Sequence, residues 1–271
     1  MNKDVLKAAW YQNNLAATLI AMFGTATLFF DSLFSDDIKI ILGIIFLGIG
    51  SISFLFNLYK VSTLKSVILN KNSSKVEIKF GNIFDESSDT FKVISFNEYF
   101  DTIVDDEIIA ETSLNGRYLR EQCRDIEVLN KKIVEDQHLK TKEITTTKRK
   151  RGNHVNYELG SILKNEDYLL VAFSKFTEDN KAELTQDEFI TSLLNMWKEI
   201  DIFKAGKSVA IPLLGSNMLR IKNNIDISNQ EILEMILLTF ELSKIKMGPT
   251  AKLKIILHES VKNDIELYKF K

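Results

Sequence analysis

No residue between Lys7 and Asp31 carries a charge, and none does from Ile40 to Tyr59. Within the first run Leu15 to Phe30 is almost continuously apolar, with Trp10 and Tyr11 just ahead of it; the second run ends at Lys60. A helix rising ~1.5 Å per residue needs ~20 apolar residues to cross a hydrocarbon core of ~30 Å, and each run supplies about that length. The pattern predicts two transmembrane helices, over about 10–34 and 38–60, forming a hairpin within a membrane region 1–72. A signal peptide is a competing reading of the first run, but no small-residue cleavage site is evident and a second apolar run follows directly. A buried core hairpin is the other alternative, and Ile40 to Tyr59 lacks the polar face that a helix at a globular surface shows.

The flanks orient the hairpin. Lys3 and Lys7 precede the first run, Lys60, Lys65, Lys71 and Lys75 follow the second, and the connecting loop holds Asp31, Asp36 and Asp37 against Lys39. Basic outer flanks predict a multi-pass protein of the cell inner membrane with both termini cytoplasmic. Trp10, Tyr11 and Tyr59 would then lie at the inner interface. Small residues on the second span, Gly43, Gly48, Gly50, Ser51 and Ser53, let helix backbones approach closely, and a homo-oligomer is expected.

The averages of the 271 residues, 45% hydrophobic and 27% charged with a net charge of −2, describe an ordinary soluble chain only because they mix two unlike parts. Residues 1–75 hold seven Lys or Arg and four Asp or Glu, leaving 28 and 33 for residues 76–271. The larger part is therefore mildly acidic, which argues against a nucleic-acid partner. Cys123 stands alone, so there is no internal disulfide. His138, His154 and His258 are far apart without ligand spacing, so no metal site is expected.

From about Val76 the sequence alternates strand and helix signals. Val76 to Phe80, Phe91 to Phe96, Tyr168 to Phe173, Ser208 to Ile211 and Leu253 to Leu257 read as short strands. Thr185 with Glu188, and Ser228 with Glu231, have the spacing of capping boxes. They open one helix running to about Phe203 and a second stopped by Gly248 and Pro249. Asn115 to Lys132 reads as a further helix. Lys142 to Tyr157 reads as a hairpin whose tip, Lys148 to Gly152, is basic: either a contact for an anionic ligand or lipid, or a solvated turn. The alternation predicts a layered α/β domain over 73–271.

No GxSxG, HExxH, Walker or GxGxxG motif is present. Candidate chemistry lies instead at the C-terminal ends of the expected strands, where open α/β sheets bind ligands. Ile211-Pro-Leu-Leu-Gly-Ser-Asn-Met218 follows one strand as a small-residue turn whose backbone N–H groups suit phosphate oxygens. Asn97 follows another, with Asp101, Asp105 and Asp106 soon after; these acids are read as hydroxyl partners or surface positions rather than metal ligands.

Together these segments resemble the macro domain family. Phe80-Gly-Asn-Ile83, Val93-Ile-Ser-Phe-Asn97, Asn156-Tyr-Glu-Leu-Gly160 and Val209-Ala-Ile-Pro-Leu-Leu-Gly-Ser216 stand in that family's order and spacing. More narrowly, Asn97-Glu-Tyr-Phe-Asp-Thr-Ile-Val-Asp-Asp106 and Ser113-Leu-Asn-Gly116, behind a two-span hairpin, look like the transmembrane-plus-macro effectors of Thoeris antiphage systems. The resemblance implies a three-layer α/β/α domain with a mixed sheet that binds ADP-ribose-type nucleotides. It implies that Asn82 and Ile83 approach the adenine, with Asn82 where the family usually has aspartate, and that Asn97 lines the distal ribose region. Leu214, Gly215, Ser216, Asn217 and Met218 would form the phosphate loop, with Val104 and Asp105 in the first ligand loop. Asp101 and its acidic neighbours would face a cationic adduct, such as the histidine of a histidine–ADP-ribose conjugate. Hydrolytic members carry a second asparagine where this chain has Phe100, which favours a non-catalytic sensor without a cofactor. The implied role is a membrane-anchored effector that senses a nucleotide second messenger made by a TIR-domain partner and triggers membrane disruption and abortive infection. The alternative is a membrane-tethered ADP-ribosyl hydrolase or nucleotide-processing enzyme.

Overall fold

The computed structural model describes residues 21, 35–176, 182–216 and 227–270. They belong to two compact units, Met1–Lys65 with Leu267–Lys271, and Ser66–Glu266. In the first unit, helix α1 (Asp36–Ser62) brackets the expected second span and begins and ends with charges that suit its dipole, Asp36 and Asp37 in the first turn and Lys60 in the last. Its segment Asp36–Val61 is long and apolar enough to cross a membrane, and its apolar window has no residue buried in protein. The expected first span, 10–34, lies outside the described residues apart from Ala21.

The second unit is built on one mixed sheet of strands β1 (Ser66–Lys71), β2 (Ser74–Phe80), β3 (Thr90–Asn97), β6 (Ile162–Asn165), β7 (Tyr168–Phe176), β8 (Ala182–Glu183), β9 (Ser208–Pro212) and β10 (Lys252–Leu257). Their order is β1-β2-β10-β9-β3-β7-β6, with β8 on β7; a separate hairpin pairs β4 (Glu143–Thr146) with β5 (Val155–Tyr157). The five central strands run parallel, and β1 and β6 run antiparallel to their neighbours. A parallel core requires crossover helices on both faces, so its strands must be apolar on both sides. Residues Tyr168 to Ser174 of β7 are accordingly all buried.

Helix α5 (Gln186–Phe203) opens on the Thr185/Glu188 capping box and α6 (Asn229–Ser243) on the Ser228/Glu231 one, as the spacing predicts. On that face Phe173 of β7 packs edge-on against Phe189, and buried Trp197 donates to Thr239 Oγ1 at 3.1 Å. The opposite face carries Ile94, Phe96, Leu170 and Ala172 with Tyr118, Leu129 and Ile133. The three-layer α/β/α arrangement with a mixed sheet is thus present.

Two helix expectations change. Asn115 to Lys132 is not one helix. The short α2 (Leu114–Arg117) widens into a π turn at Tyr118–Gln122 and stops at Cys123, whose backbone is extended. The chain restarts as α3 (Ile126–Glu135) because the Asp125 carboxylate accepts from the N–H groups of Glu127 and Val128; α4 (Gln137–Lys140) follows. Helix α6 ends at Ser243 rather than near Gly248, because Lys244 adopts a left-handed φ of 58° that terminates the ladder.

Candidate functional site

Four of the parallel strands, β2, β10, β9 and β3, open at their C-terminal ends onto a cavity of about 570 Å³. Gly81, Asn82 and Ile83 continue from β2, and Leu213 to Ser216 continue from β9. Ile256 belongs to the end of β10, with His258 and Ser260 just beyond it, and Ser95 comes from β3. The remaining wall is Ala110, Thr112, Ser113 and Leu114 with Arg117 and Val261. This volume is in the range of small-molecule sites.

Local structure fixes each wall. The Asn82 side chain caps the turn Ile83–Asp85, accepting from Phe84 N–H at 3.3 Å while its amide donates to Asp85 Oδ1 at 3.3 Å. After β9 the chain turns sharply. Leu214 N–H donates to Pro212 O and Ser216 N–H to Leu213 O, with Gly215 at φ +87°, a conformation that glycine adopts at little cost. Ser216 Oγ donates to Asn229 Oδ1 at 2.9 Å, tying the loop to the start of α6. Arg117 is held at the cavity by Glu121, 3.3 Å away, and by the Phe84 ring, 5.1 Å from the guanidinium. Among the described lining residues there is an arginine and a histidine but no carboxylate. A glycine turn and a guanidinium in a described lining without carboxylates suit an anion, although Glu121 already pairs with Arg117.

Of the expected site residues, Asn82, Ile83, Leu214, Gly215 and Ser216 are brought together here. Asn217 and Met218 lie outside the described residues. Asn97, Asp101, Val104 and Asp105 are not in the lining and form a different structure. Asn97 is buried, accepts at Oδ1 from the N–H groups of Tyr99 and Asp101, both at 3.1 Å, and donates to Asp101 Oδ2 at 2.9 Å. Asp101 is fully buried, paired with Arg149 at 2.8 Å, and accepts from Asn153 N–H at 2.6 Å. Val104 packs against the hydrophobic core. Asp105 caps the N–H groups of Glu107 and Ile108 and pairs with Arg151, which also holds Glu107. Two of the basic residues of the hairpin tip, Arg149 and Arg151, are therefore ion partners of this acidic segment, while Lys148 and Lys150 are exposed. Phe100, at φ +51°, is buried between Phe96 and Tyr157.

Ala110, Thr112, Arg117 and Ser260 carry no sequence signal of a site, Ser113 and Leu114 enter only through the Ser113–Gly116 resemblance, and His258 reads only as a histidine without metal-ligand spacing. Their signal was weak: a loop without periodicity, and a histidine 177 positions from Gly81 that only the parallel sheet brings beside it, as β2 and β10 pair in register. Behind the Asn82 wall, Glu86 bridges Lys79 at 2.6 Å and Lys254 at 2.7 Å. Burial pushes its carboxyl up, but hydrogen bonds from Lys254 and Lys79, with their charges, outweigh this and hold it below the ordinary 4.5. A carboxyl depressed by folding adds stability above its unfolded pKa and loses it as pH falls through the folded one. We expect the melting temperature to be level from neutral pH down to about pH 5 and then to fall, with a shallower acid limb in Glu86→Gln; scanning calorimetry against pH checks this.

Residues 76–258 match the family model of the macro domain of Thoeris protein ThsA. Thoeris protein ThsA of Bacillus amyloliquefaciens (strain Y2) is 40% identical over 235 residues, which are 86% of this chain and 79% of that protein. Among solved structures, the Oceanobacillus iheyensis macrodomain with ADP aligns at a TM-score of 0.45 and 14% identity, over 75% of this chain and 93% of that one. A mutant of the same macrodomain aligns at 0.47 and 11% identity, over 76% and 95%. The family match, which takes in every described residue of the cavity except Ser260 and Val261, and the 40% identity show that this chain belongs to the Thoeris ThsA macro-domain family.

Proposed function

We propose that this chain is an antiphage effector of the inner membrane whose cavity senses an ADP-ribose-type nucleotide. The observation that carries the reading is the cavity at the strand ends, whose described lining holds no carboxylate, with Arg117 and His258 among its walls and the left-handed Gly215 turn at one side. A diphosphate is the anion such a turn suits best. The signal would come from a TIR-domain partner, with a histidine–ADP-ribose conjugate as one candidate. The membrane region would act as the effector, in a homo-oligomer with both termini cytoplasmic. Helix α1, apolar on all sides with Ile44, Leu47, Ile52 and Phe56 exposed, supports a membrane setting.

Ligand binding activates such a protein only if the ligand favours the active arrangement over the resting one. A sensor need not turn its ligand over, and Phe100, sealed in an aromatic cluster, supports that role. The hydrolase reading would draw on His258, whose Nδ1 lies 2.8 Å from Ser260 Oγ in the cavity wall and also accepts from Ser260 N–H at 3.3 Å as the cap of a turn.

Titration calorimetry with ADP-ribose tests the site. We expect Arg117→Gln to weaken binding about tenfold, or about 1.4 kcal/mol; wild-type affinity in that variant, or no binding by the parent chain, would remove the basis of the reading. Chromatography after prolonged incubation separates the two roles, because the sensor returns the nucleotide intact and the hydrolase does not.

A further inference from the structure

The chain enters the macro domain at the cavity end of the sheet. Ser66, the first residue of β1, is the register partner of Lys79 near the end of β2. Strand β2 then runs through Phe80 into Gly81, Asn82 and Ile83 of the cavity wall. Residues 63–65 alone separate α1 from Ser66. Strand β1 lies at the sheet edge, where among the described residues its backbone ladder is with β2 alone, and its far end is tied to α6 by Lys71 Nζ on Glu241 Oε2 at 2.8 Å. A strand with one ladder opens more readily than a central one.

A buried carboxylate ties the cavity wall to this entry point. The Glu86 side chain is 7% exposed, with Oε1 on Lys79 and Oε2 on Lys254. Its N–H donates to Ile83 O at 3.3 Å, closing the turn that begins at Asn82. Lys254 also reaches Thr90 Oγ1 at 3.2 Å, so this anchor is fixed to the central sheet. The turn carrying Asn82 and Ile83 therefore cannot shift without either moving Lys79 or pulling the buried Glu86 carboxylate away from a half-buried lysine, which is unfavourable.

We propose that Glu86 and Lys79 form a link that carries occupancy of the cavity to β1, and through residues 63–65 to the membrane helix. The proposal rests on the reading of the cavity as a nucleotide site. A ligand packed on Ile83 sets the turn, the turn sets Glu86, and Glu86 sets Lys79, whose backbone is the partner of Ser66. The bistable element is the edge strand, docked or loosened, and the ligand selects one state by its differential affinity. Glu86 is a positioning residue in this scheme and has no contact with ligand.

Hydrogen exchange of the full chain in phosphatidylethanolamine–phosphatidylglycerol vesicles, with and without saturating ADP-ribose, tests the link. In the parent chain the nucleotide should slow exchange over 81–86 and 110–117, and change it over 66–71 by at least about threefold. In Glu86→Gln, still saturated, 110–117 should stay protected while 66–71 no longer responds. An equal response of 66–71 in the variant overturns the link, as does no response of 66–71 in the parent while its cavity is protected. No protection of the cavity segments in the parent defeats the nucleotide reading itself, and the link with it. Should Glu86→Gln fail to fold, Lys79→Met keeps the Lys254–Glu86 pair, and persistence of the 66–71 response there also overturns the proposal.

Discussion

Arg149→Met should destabilise the macro domain by about 3–5 kcal/mol, the range for leaving one partner of a buried ion pair uncompensated. Asp101 is fully buried, and Arg149 is its cation, with a side chain only 11% exposed. The guanidinium also lies 4.0 Å from the Tyr99 ring and donates to Asn153 O at 2.9 Å. Removing it leaves a carboxylate in the interior with, among the described residues, the Asn97 amide and the Asn153 N–H as donors. Urea unfolding followed by the fluorescence of Trp197, buried between α5 and α6, measures the loss. Asp101→Asn combined with Arg149→Met should recover much of it, because the uncompensated charge is gone. If the two changes add, with no coupling, the pair is not the source of the effect.

The same pair explains why Asn97 to Glu107 reads as a binding segment and folds as a brace. Counting charges cannot distinguish an acid that faces a ligand from one that faces an arginine about fifty positions away. Asp101, Asp105 and Glu107 meet Arg149 and Arg151 because the hairpin of β4 and β5 folds back on the turn after β3, where Tyr157 N–H donates to Glu98 O. Both halves of this structure were legible as local patterns, a basic tip and an acidic loop. Their pairing is tertiary.

The sheet was more legible. Continuous apolar runs such as Tyr168 to Phe173 mark strands buried on both faces, and the two capping boxes mark helix starts by side-chain chemistry that is local by nature. Edge strand β1 was not legible, because Ser66 to Lys71 is short, half exposed and adjacent to an apolar run that dominates the reading. At the cavity, the glycine turn after β9 was readable because its conformation demands glycine at 215. The opposite wall, Ala110 to Leu114, contains no such demand within itself. Its requirement sits two residues beyond, at Gly116.

Gly116→Ala should lower affinity for ADP-ribose at least tenfold, about 1.4 kcal/mol, while costing about 1–3 kcal/mol of stability. A Cβ at 116 would lie 2.3 Å from Ala110 O and 2.9 Å from Glu111 O, both backbone atoms that no rotamer change can move aside. The segment they belong to is tightly closed. Ser113 N–H donates to Ala110 O at 3.0 Å, Ser113 Oγ donates to the same oxygen at 2.6 Å, and Gly116 N–H donates back to Ser113 Oγ at 3.0 Å. Moving the Ala110 carbonyl breaks these bonds together and displaces Thr112, Ser113 and Leu114 from the cavity wall. Calorimetric titration of the variant against Gly248→Ala separates this from a general glycine effect. At Gly248 the nearest atom to an added Cβ, Gly206 O, is 3.5 Å away, and the residue is not in the cavity lining. Equal losses at both positions would mean that the wall from 110 to 114 does not shape the site; a loss confined to Gly116 would place that wall in contact with the nucleotide.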